Sequence, residues 1–309
     1  MEEKRGNNVL TSLAEIYQQL YIPPGDDSVE KYEDVVKKGH EIPDGDLSHF
    51  VMDERDTLAY EDTPVGKVCV ITLYNRQDFV TFIRIMGNRC SCTDIPDTQG
   101  ASIISGVANW SKIKKHKEDF YLQEQRKGNL FPDWKAEFAV FTSDKSNYLD
   151  TLIVLSYGPY SGIDTERING YLKETDAQAR TYSDDEWLSY SYTIRKHHEC
   201  THYICQKIFP DKKDPIWDEL VADTVGIYAA FGNFDRRLEE LFLGIGDNGY
   251  TKGRLENYVK ADSDEEKQRQ LAELSSDIPD ILKGFEMTVE ENHGITPYRL
   301  AILLEESKK

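Results

Sequence analysis

Cysteine, basic charge and long apolar runs are all scarce in this chain of 309 residues, and each shortage excludes something. Five cysteines, Cys69, Cys90, Cys92, Cys200 and Cys205, are too few and too odd in number for a disulfide framework, so a reducing cytoplasm is the expected compartment. Only 37 basic side chains stand against 56 acidic ones, a formal charge of -19, which argues against any nonspecific grip on phosphate backbones or anionic lipid. Neither nucleic acid nor membrane is expected as a partner. No run approaches the roughly 18 apolar residues that would span a bilayer. The start, MEEKRGNNVLTSLAEIYQQL, lacks the basic stretch, apolar core and small-residue cleavage site of a secretory leader. Internal repeats and low-complexity tracts are missing too. What the chain does have is 39% apolar and 11% aromatic residues, enough to build a core in one large domain or two packed ones.

Periodicity gives the organisation. Leu10, Leu13, Ile16 and Leu20 share one face of a helix over Val9–Leu20, and Asp27–Lys38 reads as a second, more charged helix, both at the surface. Val65–Tyr74 is rich in β-branched residues over a strand length, and Gln77–Met86 follows as helix. A helix opening near Asn109 and running to Arg126 carries the densest basic cluster, which reads as a solvated face. Glu137–Thr142 and Leu152–Ser156 read as neighbouring strands. Beyond them the pattern is helical: Asp164–Leu172, Asp184–Ile208, Asp214–Phe231, Asp235–Leu243 and several more. Strands first and helices afterwards predict an α+β protein, with an N-terminal mixed α/β region holding a small sheet and a mainly helical C-terminal region. We divide them as residues 1–130, with no assigned role, and 131–309.

The chemistry concentrates in His198-Glu199-Cys200-Thr201-His202, an HExxH string. On a helix, histidines four residues apart lie one turn above each other, so both imidazoles reach one zinc ion while Glu199 addresses a water on it. Asp184, Asp185 and Glu186 supply an N-terminal cap, and no glycine or proline interrupts before Pro210. A catalytic zinc takes three protein ligands and keeps one position open, so a third ligand must come from elsewhere. Glu219-Leu220-Val221-Ala222-Asp223 lies on the next helix, after the connection FPDKKDP. Residues of an antiparallel hairpin stand level when they are equidistant from the turn. His202 and Glu219 are equidistant from the midpoint between Pro210 and Asp211, and so are His198 and Asp223. Glu219 is therefore expected as the third ligand, and Asp223 as the carboxylate that accepts the outward N–H of a ligating imidazole.

Over roughly Arg195 to Ile227 the chain resembles the gluzincin branch of zinc metallopeptidases, which pair HExxH with a downstream ExxxD, here in the ExxAD form of Glu219 to Asp223. The resemblance implies a zincin-like C-terminal region. It makes His198, His202 and Glu219 zinc ligands, Glu199 the general base and Asp223 the orienting carboxylate, acting on a peptide or protein substrate. It also implies an edge strand before the active helix that pairs with extended peptide, for which Leu152–Ser156 is the nearest candidate. Two features depart from the pattern. Arg195 and Lys196 stand where uncharged residues are usual, and Cys200-Thr201 is more polar than the usual pair. Lys196 falls opposite the ligand face and is expected in solvent. Arg195 falls near that face, to bind a substrate carboxylate or carbonyl, or to pair with a nearby acid.

Other residues carry weaker expectations. His197 points about 100° from His198 and reads as a packing or surface residue. Cys205, one turn past His202, reads as a small buried residue, with a fourth ligand or a redox-sensitive switch as alternatives. Cys90 and Cys92 have no second pair nearby to make a metal site. Tyr157, Tyr160, Tyr228 and His293 are candidate donors to a developing oxyanion. The loop SYGPYSG, from Ser156 to Gly162, belongs on the rim of a cleft. Together these features predict a zinc-dependent hydrolase, foremost a metallopeptidase. The alternatives are a catalytically silent zincin-like interaction protein and a non-peptidase zinc amidase that takes a Cys ligand.

Overall fold

A computed structural model describes residues 8–175, 180–212 and 214–308. The first seven residues, part of the leader reading, and Lys213, within the connection FPDKKDP, lie outside the described residues. The class is α+β: eleven α-helices, a mixed sheet of four strands and a second sheet of two short strands among the described residues. The chain packs as two compact units, Met1–Tyr60 with Cys69–Pro96 and Ser102–Ser156, and Glu61–Val68 with Asp97–Ala101 and Tyr157–Lys309. The long segment of the second unit thus begins at Tyr157, whereas the division drawn from sequence falls at 130.

The sheet contains β1 (Thr57–Thr63), β2 (Gly66–Leu73), β3 (Ala101–Ala108) and β4 (Leu149–Ser156), in the order β1-β2-β4-β3. β2 and β4 run parallel, with Cys69 opposite Leu152 and Leu73 opposite Ser156. Both are buried over runs of five or more residues, as expected of inner strands covered on both faces. The first unit also holds α1 (Val9–Ile16), α2 (Val29–Lys38), α3 (Arg76–Met86), α4 (Trp110–Arg126) and α5 (Trp134–Ser143). Its core gathers Leu10, Leu13, Ile71, Phe79, Phe82 and Val154.

Three expectations for this unit need correction. The helix predicted to reach Leu20 stops at Ile16, and Gln18–Tyr21 continues as a 3-10 turn. Tyr17 leaves helical geometry and its hydroxyl donates to Asp150 Oδ2 at 2.7 Å, a tertiary bond that outweighs helical periodicity. Glu137–Thr142 is not a strand but most of α5. Asp133 caps that helix by accepting from Ala136 N, and Trp134, Phe138 and Phe141 line one face against His116 and Phe120 of α4. Finally, Leu152–Ser156 lies in β4 between β2 and β3, so it has no free edge on which to pair a peptide.

The second unit holds α6 (Thr165–Thr175), α7 (Asp184–Ile208), α8 (Pro215–Phe231), α9 (Arg236–Leu243), β5 (Ile245–Gly246), β6 (Gly249–Tyr250), α10 (Asp264–Glu291) and α11 (Pro297–Ser307). α7 starts with a capping box in which Ser183 accepts from Glu186 N and Glu186 accepts from Ser183 N, so the cap is Ser183 rather than the acidic run after it. α8 opens on Asp214, which accepts from Ile216 and Trp217 N, with Pro215 in the first turn. The two helices cross closely at Gly226, where a Cβ would lie 2.7 Å from Ile194 O. Trp187, Ile194, Val221, Val225, Phe242 and Leu282 form the surrounding core. Among the described residues no helix is long and apolar enough to cross a membrane.

Candidate metal centre

The helical pair α7 and α8 brings His198, His202 and Glu219 together. His198 Nε2 lies 3.0 Å from His202 Nε2 and 3.4 Å from Glu219 Oε2, and His202 Nε2 lies 3.5 Å from Glu219 Oε1. Ligands at about 2.0–2.1 Å from a tetrahedral ion stand about 3.3 Å apart, so this triangle has the edge length that one small divalent ion requires. Among the described residues it is the group of His, Cys, Asp and Glu side chains close enough to share an ion. Two imidazole nitrogens and one carboxylate, with no thiolate, are a ligand set suited to catalytic zinc. Burial holds both imidazoles neutral, His202 down to about 4, and neutral nitrogens are the ones that bind metal. Burial pushes Glu219 up, but its surroundings, the Arg254 guanidinium and the Tyr258 hydroxyl among them, outweigh it and leave the carboxyl below its ordinary value.

The His198 ring is aimed from behind. Its Nδ1 lies 2.7 Å from Asp223 Oδ1, and Asp223 is fully buried. Asp223 also accepts from the Tyr160 hydroxyl at 2.5 Å and from the guanidinium of Arg254, which donates to Tyr160 as well, at 2.8 Å. A proton on Nδ1 of His198 would complete this set and leave the lone pair of Nε2 facing His202 and Glu219. Tyr258 donates to Glu219 Oε2 at 2.8 Å and fixes that carboxylate in turn.

Glu199, next to His198, is half-buried, and its carboxylate has no hydrogen-bond partner among the described residues. Burial raises its pKa, and the carboxylate of Glu219 adds to the rise. A carboxylate of raised basicity beside the donor triangle has the chemical character of a general base.

The charged run before the motif is structural. Arg195 holds backbone: Nη1 donates to Gly158 O at 2.9 Å and Nη2 to Pro159 O at 2.8 Å. Lys196 is not in free solvent but pairs with Glu61 at 3.0 Å, and Glu61 accepts from Tyr298 at 2.8 Å. His197 is a packing residue, stacked on Tyr298 and bonded to Thr193 O. Cys205 lies outside the donor group, and burial pushes its thiol up to about 12.

Of the four oxyanion candidates, Tyr160 is tied up behind His198, Tyr228 donates to Ile295 O, and His293 is exposed. Tyr157 lies against Tyr192, with ring centres 6.0 Å apart. Arg254 and Tyr258 were not identified from sequence. Both sit on the short 3-10 turn Arg254–Tyr258, which has no periodic signal. Gly253 delivers that turn by lying so close to Gly244 at the end of α9 that a Cβ on it would come within 2.4 Å of Gly244 N.

Comparison with curated proteins and with solved structures gives no match. A family model described as a family of unknown function matches residues 1–305, and the chain therefore belongs to that family, DUF7005.

Proposed function

We propose that the protein is a zinc-dependent hydrolase, most specifically a metallopeptidase that cleaves peptide bonds in a peptide or protein substrate. The observation that carries this reading is the donor triangle of His198, His202 and Glu219, with edges of 3.0 to 3.5 Å and the unpartnered carboxylate of Glu199 beside it. The zincin-like character of the second unit belongs to the same proposal, as does the gluzincin resemblance over the two helices. When bound, zinc supplies Lewis-acid activation of water and of the scissile carbonyl. Glu199 takes the proton from the attacking water as it adds to the carbonyl carbon, and returns it to the leaving nitrogen as the C–N bond breaks. Asp223, held by Arg254 and Tyr160, keeps the His198 ring in the orientation that metal binding needs. All five cysteines are free thiols, four of them buried, which supports a reducing compartment such as the cytoplasm.

Metal analysis of the purified chain tests the reading together with peptide-library cleavage. We expect one zinc per chain in the wild type, and the same content with hydrolysis lost in Glu199→Gln. A wild type that takes up no zinc, or a Glu199→Gln variant that cleaves at the wild-type rate, overturns it.

A further inference from the structure

The loop between β4 and α6 is built more firmly than a cleft rim requires. Arg195 holds the carbonyls of Gly158 and Pro159, the Ser161 hydroxyl donates to Phe242 O at 2.9 Å, and Trp187 Nε1 donates to Ile163 O at 2.6 Å. Ser161 (φ 54°) and Gly162 (φ 67°) are successive left-handed residues, a conformation that a serine holds only when its surroundings over-determine it. Gly100 leaves room for the Arg195 guanidinium, since a Cβ there would meet Nε at 2.6 Å. All of these anchors converge on one side chain. Tyr160 is 3% exposed, edge-on to Phe242 at 5.1 Å, with the Arg254 guanidinium 5.1 Å from its ring centre.

We infer that Tyr160 is a positioning residue for His198, held by this loop so that its hydroxyl selects the ring tautomer that can bind a metal ion. The inference rests on the metal reading above. A hydroxyl has one proton to give. Arg254 Nη1 occupies one of its lone pairs, so the proton goes either to Asp223 Oδ1, at 2.5 Å, or to His198 Nδ1, at 3.0 Å. Donation to Asp223 leaves His198 to donate from Nδ1 to the same oxygen, and Nε2 stays bare for the ion. Donation to His198 would face two lone pairs across the 2.7 Å between Nδ1 and Asp223, and would put the ring proton on Nε2, where it blocks the ion. The shorter contact and the Arg254 bond select the first arrangement. Without the hydroxyl, Asp223 loses one donor and Arg254 loses an acceptor, and the carboxylate is free to swing towards Arg254 and release the ring.

Two measurements on full-length protein test this. In metal-free protein, long-range 1H–15N spectra of the histidine rings, assigned against His198→Asn, should show His198 protonated on Nδ1 in the wild type and as a tautomer mixture in Tyr160→Phe. Competition with a chromogenic chelator should show zinc affinity about 10- to 100-fold weaker in Tyr160→Phe. Tyr228→Phe, which loses a comparable hydroxyl bond elsewhere in the unit, should stay within about twofold of wild type. Arg195→Gln, which loosens the loop but keeps the hydroxyl, should give a smaller loss in the same direction, and it carries the test if Tyr160→Phe fails to fold. Unchanged tautomer and unchanged affinity in these variants overturn the role of Tyr160. A wild type that binds no zinc while the tautomer still shifts in Tyr160→Phe overturns the metal reading and leaves that role standing.

Discussion

Asp223 is fully buried and meets His198, Tyr160 and Arg254 at once. Replacing it with alanine leaves the Arg254 guanidinium without its counter-charge, and breaking such a buried pair costs roughly 3–5 kcal/mol. Asp223→Ala should therefore shift the urea midpoint sharply downward, while Glu199→Gln, which breaks no hydrogen bond, should leave it in place. Equal midpoints for the two variants would contradict this account. Glu305 on α11 makes a second residue-scale prediction. It is 1% exposed, and burial, reinforced by Asp218, pushes its pKa from 4.5 up to about 7. The folded chain then holds a proton that the unfolded chain has released, so stability is full below pH 4.5 and declines as pH rises through 7. Glu305→Gln should flatten that decline, which is worth up to about 1.4 kcal/mol for each pH unit crossed. Thermal melts from pH 5 to 8 read it directly, and parallel curves for wild type and variant would refute it.

At the scale of elements, the site depends on how closely α8 lies on α7. Gly226→Ala would bring a methyl within 2.7 Å of Ile194 O, and backbone cannot yield there as a side-chain tip can. α8 must shift, at roughly 1–3 kcal/mol. Asp223 lies one turn away on the same helix, so zinc affinity should fall together with stability. Ser183→Ala gives the contrast: loss of the α7 cap should cost about 1 kcal/mol while zinc affinity, read by chelator competition, stays unchanged. This pair of helices was also the part most legible in the sequence, since the spacing of His198, His202, Glu219 and Asp223 about a short turn fixes both face and level. Strongly patterned elements such as β2 and α3 were legible for the same reason. α5 was misread because its short EFAVFT run fits either period, and its helical state is decided by the Asp133 cap and by packing against α4. β1 was missed because a half-exposed, polar strand such as TLAYEDT lacks alternation, and β3, ASIISGVA, because Ser105 and Gly106 interrupt its apolar residues. Arg254 and Tyr258 had no signal at all, since a 3-10 turn brings them in through a glycine contact rather than a periodic face.

Over the whole molecule, the family match runs through both units, so the helical pair belongs to a chain that also carries the sheet. Two segments from the N-terminal half, Glu61–Val68 and Asp97–Ala101, count with the second unit and touch α7 through Glu61 and Gly100. Binding that favours the folded state stabilises it by mass action. Free zinc at about 100 times its dissociation constant should add about 2.7 kcal/mol, and a chelator should remove that increment. A melting curve indifferent to both would mean that the folded chain has no preference for the ion.

The donors and the groups that direct them are distributed very differently along the polypeptide. His198 and Asp223 are 25 positions apart, but Tyr160 and Arg254, which meet behind them, are separated by 94. A detached or half-assembled hairpin would carry His198, His202 and Glu219 but lack the two groups that steady Asp223 behind the ring. The orientation of the His198 imidazole is then a property of the completed tertiary structure, acquired only when the two distant arms close behind it.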